Sequence, residues 1–278
     1  MRHFLFSLAL WLPFAALAQS PSGLTTQNAV VEFDSRKSDP NSDLEFMYAI
    51  NDPEGHSFLR SSSSTQGTIL GCISNGRIVY EDDFHAEGNW IKLTISEEMV
   101  DSVCGENPRT IRNLEYEISR KKISGYIHKS RLKRMSSLHP ILASKKAISK
   151  QITFYKFDSV SLEVGTQKFH RQNHKVIKQD QINYLVDGHH VWGMDGGLPT
   201  FETRTFQIQV GTQPVEIRHE DFAPFYQIKS DRWEMFADDF GGLYLFADGS
   251  DGAGGYTVVY TIMNGTITSV SARISYFA

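Results

Sequence analysis

The chain has 278 residues, with 28 basic and 32 acidic side chains, and its formal net charge is −4 at pH 7. That balance argues against a nucleic-acid-binding protein, because nucleic acids are bound by surfaces with an excess of positive charge. Two short basic runs, residues 120–122 and 129–134, are better explained as solvent-exposed strand edges. The length is enough for two ordinary domains.

The N-terminus has the pattern of a secretory signal peptide. A charged start, Met1–His3, precedes the apolar run Phe4–Leu17, and Ala16 and Ala18 form the small-residue site that signal peptidase cleaves. The run is shorter than the roughly 20 residues that span a bilayer, and no later stretch is apolar enough to do so. We predict that residues 1–18 are removed and that the protein is secreted or periplasmic. A retained anchor or a buried N-terminal helix is the alternative.

The chain contains two cysteines, Cys72 and Cys104. In an oxidising compartment a lone pair of cysteines is expected to form a disulfide. The bond would close a loop of roughly thirty residues and stabilise the fold by about 3 kcal/mol in the chain-entropy model. Two buried free thiols are the alternative.

Strand-like segments follow one another closely in the first half of the chain. Residues 19–43 are polar and are predicted to be a spacer with one possible short strand. Turn signals then occur at Asn51–Gly55 and Ser74–Gly76. The candidate strands are Glu45–Ile50, Phe58–Arg60, Ile69–Ile73, Arg77–Tyr80 and Trp90–Ile95. Short strands with Gly and Asn turns at this spacing are typical of a small barrel.

An ordered set of short motifs runs through the same region. In chain order the motifs are Asp52–Gly55, Phe58–Ser61, Gly67–Gly71, Asn75–Gly76, Gly88–Leu93 and Gly125–Leu132. Their order and spacing resemble a bacterial SH3 domain of the SH3b type, which is found in exported proteins. The resemblance implies a mainly β fold, with an SH3-like small barrel over residues 44–135 and a cell-wall or protein ligand. Residues 94–124 are longer than that family needs and are predicted to be an extended hairpin or loop.

The barrel prediction divides the apolar side chains into a core and a surface. The predicted core is Leu59, Ile69, Ile78, Ile91, Leu93 and Ile127. Such a small enclosure cannot cover every large ring, and aromatic residues beside the loops of SH3-like barrels form grooves for extended ligands. The candidate ligand-binding residues are therefore Tyr48, Phe58, Trp90, Tyr126 and His128. The alternative is that these rings close the ends of the barrel and bind nothing.

The second half is also predicted to be rich in strands. Residues 136–150 are predicted to be a linker, with one or two helical turns at 141–148, and residues 151–278 a second β-rich domain, either a sandwich or a meander. The candidate strands are Ile152–Phe157, Phe201–Val210, Gly242–Phe246 and Tyr256–Ile262, with a hairpin turn at Asn264–Gly265 and a helix candidate at Glu220–Tyr226. This half is similar to regions that follow SH3-like modules in exported bacterial proteins, and the similarity implies no activity.

Two loops of the second half carry candidate metal ligands. Zinc accepts imidazole and carboxylate, and calcium accepts carboxylate. The candidates are Asp187, His189, His190 and Asp195 in one loop and Asp248 and Asp251 in the other. Adjacent histidines on a strand point to opposite faces, and two carboxylates are few for calcium. A structured turn anchored by Trp192 and a long hairpin loop are the favoured interpretations. An exposed ligand-binding loop is a further alternative for the first loop.

No motif for nucleophilic catalysis is visible in the sequence. There is no Gly-x-Ser-x-Gly elbow and no evident Cys–His arrangement. We therefore favour a non-catalytic binding protein without a cofactor, whose partner is peptidoglycan or an envelope or secreted protein, and leave enzymatic activity open. One alternative is a periplasmic immunity or inhibitor protein that neutralises a toxin. Another is a metal-assisted hydrolase that uses the ligands of the second half.

Overall fold

The structure is a computed structural model of the full chain. It describes residues 29–30, 43–80, 86–101, 104, 111–114, 121–179, 184–194, 196–250 and 254–274. The predicted signal peptide and nearly all of the predicted spacer lie outside the described residues, as do Asp195 and Asp251.

Short strands joined by tight turns make up the first half of the molecule. In chain order they are β1 (Ala29–Val30), β2 (Met47–Ile50), β3 (His56–Arg60), β4 (Ile69–Ser74), β5 (Ile78–Tyr80), β6 (Ala86–Glu87), β7 (Trp90–Ser96), β8 (Ile111–Leu114), β9 (Lys122–His128), β10 (Leu132–Arg134), β11 (His139–Ile141) and β12 (Ala143–Ala147). The 3-10 helices of this half are Asp43–Phe46, Glu97–Met99, Lys129–Arg131 and Met135–Ser137.

Several strands of the second half are longer. The strands of this half are β13 (Ile152–Phe157), β14 (Val160–Lys168), β15 (Val176–Lys178), β16 (Tyr184–Val186), β17 (His189–His190), β18 (Phe201–Val210), β19 (Gln213–Pro214), β20 (Ile228–Ala237), β21 (Leu243–Gly249), β22 (Tyr256–Met263) and β23 (Thr266–Ile274). The described residues of this half also form two 3-10 helices, Arg171–Asn173 and His219–Asp221. The described residues contain no α-helix, so the fold is mainly β.

Two small antiparallel sheets pack against each other in the first half. One has the strand order β10-β2-β5 and the other the order β4-β3-β9-β7-β6. Their shared core is Tyr48, Ile50, Leu59, Ile73, Val79, Ile91, Leu93, Ile95, Met99 and Ile127. No sheet formed by the described residues closes into a barrel.

Of the predicted core, Leu59, Ile91, Leu93 and Ile127 lie between the two small sheets. Ile78 is buried but faces the second half of the chain, and Ile69 is 49% exposed. The cause of the Ile69 exposure is a bulge in the pairing of β3 with β4. Leu59 pairs with Gly71 and Arg60 pairs with Ile69, so Leu70 is left over. Because side chains alternate between the two faces of a strand, this extra residue turns Ile69 to the solvent side.

A return segment, residues 97–101, runs back from β7 along the edge of β4. The backbones of Cys72 and Asp101 exchange two hydrogen bonds, of 3.1 and 2.8 Å. The predicted disulfide between Cys72 and Cys104 is present and covers the same edge. Gly71 permits this close approach, because a Cβ atom there would collide with the side chain of Val100.

Two six-stranded sheets, formed mainly by strands of the second half, pack as a sandwich. The sandwich sheet has the order β1-β12-β13-β14-β18-β19, and the central sheet has the order β11-β20-β21-β22-β23-β8. Aromatic and branched side chains of both sheets fill the space between them, among them Tyr155, Leu162, Phe206, Trp233, Leu245 and Tyr260. A third sheet, β15-β16-β17, contains three short strands.

The central sheet is buried on both faces. Leu245 and Tyr260 point into the sandwich core, whereas their chain neighbours Tyr244 and Val259 point to the first half of the chain. There they join Leu44, Met47, Ala49, Ile78, Met135, Leu138, Phe236 and Phe246 in a second hydrophobic layer. The two halves therefore share a hydrophobic core.

Segments of the first half also extend the sheets of the second. Strand β8, from the predicted insert, pairs in parallel with β23, and β11 pairs with β20. Strand β12 pairs with β13. Residues 139–141 and 143–147, which fall in the predicted linker, are thus sheet strands, and hydrogen bonds as well as side-chain packing connect the two halves.

Both helix predictions are wrong. Residues 143–147 form β12, because pairing with β13 satisfies their backbone groups, whereas an isolated helix of one or two turns is unstable in water. The Glu220–Tyr226 candidate reduces to the 3-10 turn His219–Asp221. Pro224 disfavours helical backbone at the preceding residue and ends the turn.

Candidate functional site

The five-stranded sheet of the first half has one buried and one solvent-facing side. Side chains alternate along each strand, so Leu59, Leu93 and Ile127 point into the core while their neighbours point out. The outward-pointing set, called the outer face below, comprises His56, Phe58, Arg60, Glu87, Trp90, Lys92, Thr94, Lys122, Ser124, Tyr126 and His128.

Four of the five predicted binding residues lie on this outer face. Trp90 and His128 are cross-strand partners, and their rings meet edge to face with centroids 5.2 Å apart. Tyr126 lies one position along, between Lys92 of β7 and Arg60 of β3. The three strands thus bring rings and cationic groups into one continuous patch.

Phe58 forms the end of the patch on β3. The Arg60 guanidinium lies 5.7 Å from the centre of the Phe58 ring, within the range of a cation–π interaction. The same guanidinium donates hydrogen bonds to the carbonyl oxygens of Thr65 and Gly67, at 2.9 and 3.0 Å. These bonds fix the loop 61–67 beside Phe58. Ile69, half exposed opposite Arg60, extends the apolar surface at this end.

Tyr48 is not part of the outer face. It lies on β2 of the three-stranded sheet and is only 5% exposed. Its hydroxyl oxygen accepts a hydrogen bond of 2.8 Å from Arg134, whose guanidinium also lies 5.4 Å from the centre of the ring. This hydrogen bond, with Glu45 nearby, raises the pKa of Arg134. Tyr48 therefore packs between the two small sheets and is removed from the candidate surface.

The outer face is cationic although the chain as a whole is acidic. Arg60, Lys92 and Lys122 point outward from its strands, whereas Glu87 is the one acidic side chain on the described outward positions. The Glu87 carboxylate accepts a hydrogen bond of 3.0 Å from the Tyr126 hydroxyl, and this bond raises the pKa of Tyr126. Sequence reasoning missed these charged residues. The signal was there, because Arg60 and Lys92 lie two positions after Phe58 and Trp90.

The described candidate ligands of the first loop, Asp187, His189 and His190, do not converge on a metal site. Asp187 and Gly188 form the two-residue turn between β16 and β17, with φ of 54° and 89°. His189 and His190 follow on β17 as adjacent strand residues, opposite Val186 and Leu185. Trp192 is buried against Phe225 and Tyr256, which agrees with the interpretation of a turn with an aromatic anchor.

In the second candidate loop, Asp248 is the candidate ligand that lies within the described residues. Asp248 accepts a hydrogen bond of 3.1 Å from the Thr257 hydroxyl on the neighbouring strand. Within the part of the chain that the structure describes, no group of three His, Cys, Asp or Glu side chains has an arrangement suited to a metal ion. Asp195 and Asp251 lie outside that part.

Asp187 instead belongs to a cluster that sequence reasoning missed. Its carboxylate lies 2.7 Å from His174 Nδ1 and accepts a hydrogen bond of 2.8 Å from the Lys175 amide. On the other side of the ring, Nε2 lies 2.9 Å from the Glu202 carboxylate, and Phe169 stacks on the imidazole at 4.6 Å. Because the carboxylates flank opposite ring nitrogens, they orient the histidine and cannot chelate one ion together with it.

Two pKa values are shifted in and beside this cluster, that of its member Asp187 and that of the neighbouring Tyr226. Partial burial opposes ionisation of Asp187, but the hydrogen bonds from His174 and from the Lys175 amide hold its pKa below the usual value. Burial, reinforced by the charges of Glu202 and Asp187, raises the pKa of Tyr226 well above its usual value. The contacts of His174 with Asp187 and Glu202 therefore connect the β15–β17 sheet to β18.

Comparison with models of known protein families, with curated proteins and with solved structures finds no match. No helix among the described residues is long and apolar enough to cross a membrane.

Proposed function

We propose that this chain is an exported, non-catalytic binding protein whose outer face holds peptidoglycan of the cell envelope. The observation that carries the proposal is the patch formed by Phe58, Trp90, Tyr126 and His128 across three adjacent strands, with Arg60 and Lys92 between the rings. The signal-peptide pattern of residues 1–18 supports export.

The chemistry of the patch suits this ligand. Tyrosine and tryptophan rings offer flat surfaces with one polar edge, which pack against sugars and extended peptides. Arginine and lysine attract carboxylates, which peptidoglycan carries on its peptide stems. The order of the SH3b-like motifs over residues 52–132, and the packing of two small sheets around one core, support an SH3-like module as the carrier of this surface.

Sedimentation with insoluble peptidoglycan tests the proposal. Trp90→Ala removes the largest ring of the patch, and we expect it to weaken binding about tenfold or more, as for an aromatic anchor of an interface. Phe240→Ala is the matched control, because Phe240 is an aromatic residue with 48% exposure outside the patch. Equal sedimentation of the two variants, or no sedimentation of the unmodified protein, would exclude the outer face as a peptidoglycan site.

A further inference from the structure

The hydrogen bond between Glu87 and Tyr126 crosses the outer face. Glu87 lies on β6 and Tyr126 on β9, and β7 lies between these two strands. Neighbouring strands are about 4.8 Å apart, so the two side chains meet above β7. The outward side chains of β7 at this level are Trp90 and Lys92. The Glu87 carboxylate is therefore held above β7, beside Trp90 and Lys92 and within the proposed binding surface.

The surroundings of this carboxylate are suited to an anion. Lys92 is the cross-strand partner of Tyr126 on one side, and Arg60 is its partner on the other. The Tyr126 hydroxyl supplies a directed donor, and His128 follows next on the same face. A hydroxyl donor with a lysine as its cross-strand neighbour is an arrangement that attracts carboxylates in general. The Arg60 guanidinium is turned toward Phe58 and donates to the Thr65 and Gly67 carbonyl oxygens.

We propose that Glu87 occupies the position that a carboxylate of the ligand takes, so that the outer face selects carboxylate-bearing peptides and Glu87 competes with them. The inference rests on the proposed function and adds to it a ligand chemistry and a built-in competitor. Glu87 is solvent-exposed, so its side chain can rotate away at little cost in packing. The Tyr126 hydroxyl then donates its hydrogen bond to the carboxylate of the incoming ligand instead of to Glu87.

The test compares two soluble peptides, a peptidoglycan stem peptide with free carboxylates and the same peptide with those groups amidated. By isothermal titration we expect the unmodified protein to bind the carboxylate form about threefold to fivefold more tightly, the range for exposed charge pairs. Glu87→Gln keeps an acceptor for Tyr126 but removes the competing charge. We expect it to raise affinity for the carboxylate form about threefold and to leave the amidated form unchanged.

Glu97→Gln makes the same change of charge at an exposed residue that pairs with Lys121, away from the patch. We expect it to change neither affinity. Equal binding of the two peptides, or an equal gain from Glu87→Gln and Glu97→Gln, overturns the inference. If peptidoglycan binding still depends on Trp90 in that case, the proposed function survives. If the unmodified protein binds neither peptidoglycan nor either peptide, both the proposed function and this inference are overturned.

Discussion

Arg77 and Asp101 form a salt bridge, with 3.0 Å between Nη2 and Oδ2, where the return segment crosses β4. Arg77 is 1% exposed and also donates to the carbonyl oxygen of Met99. Asp101 accepts a second hydrogen bond, of 3.0 Å, from the Ser74 hydroxyl. The buried guanidinium thus fixes the return segment to the edge of the outer-face sheet, next to the disulfide.

Replacing Arg77 by leucine should therefore be strongly destabilising. The change leaves Asp101 and the Met99 carbonyl without their buried donor, and we expect a loss of about 3 kcal/mol in the free energy of unfolding, measured in urea. Lys121→Leu breaks the exposed pair with Glu97 and should cost less than about 1 kcal/mol. Similar losses for both variants would show that the buried pair does not hold the return segment.

The shared core predicts that the two halves of the chain unfold together. Phe246 points from the central sheet into the layer that contacts the first half and is 3% exposed. Phe246→Ala should cost about 3–5 kcal/mol. Hydrogen exchange should then accelerate by similar factors in β3 of the first half and in β14 of the second. Acceleration in β14 alone, or an equal effect of the exposed-site variant Phe240→Ala, would contradict a common unfolding unit.

Asp187 predicts a defined response to acid. The pKa of Asp187 is lowered in the folded state. Its carboxylate therefore stabilises the fold at pH values above the pKa of the unfolded chain, about 3.9. This stabilisation is lost as pH falls through the folded value. Asp187→Asn should cost less than about 1 kcal/mol at pH 7, and its unfolding free energy should fall less than that of the unmodified protein between pH 5 and pH 3.

Asp158→Asn is the control for this acid response. Asp158 has φ of 43° in the hairpin turn between β13 and β14, so the same change is made in a similar backbone conformation. The Asp187–His174 pair stays intact in this variant. Identical pH profiles for the two variants would argue against the pair as the source of the response.

Local signals in the sequence predicted local structure well. Asn264 and Gly265 form the expected two-residue turn, with φ of 51° and 75°, and join β22 to β23. The alternating segment Phe201–Val210 is a strand over the predicted residues. Such features depend on backbone preferences of a few neighbouring residues, which are visible in the sequence.

Contacts between distant segments could not be predicted in the same way. Strand β8, at residues 111–114, lies in the predicted insert, whereas its partner β23 lies more than 150 residues later, at residues 266–274. His174 meets Asp187 and Glu202 from separate elements. Likewise, Tyr48 was assigned to the surface because the sequence does not show that β2 belongs to a different sheet from β3, β7 and β9.

Fluorine NMR of protein labelled with 5-fluorotryptophan tests the central claim most directly. Trp192 and Trp233 are each 4% exposed in the sandwich core, whereas Trp90 lies on the outer face. The Trp90 signal is assigned by its absence in Trp90→Phe. When soluble peptidoglycan fragments are added to saturation, we expect the Trp90 signal to shift and the signals of Trp192 and Trp233 to stay in place. A Trp90 signal that does not move under those conditions would contradict the outer face as the binding surface.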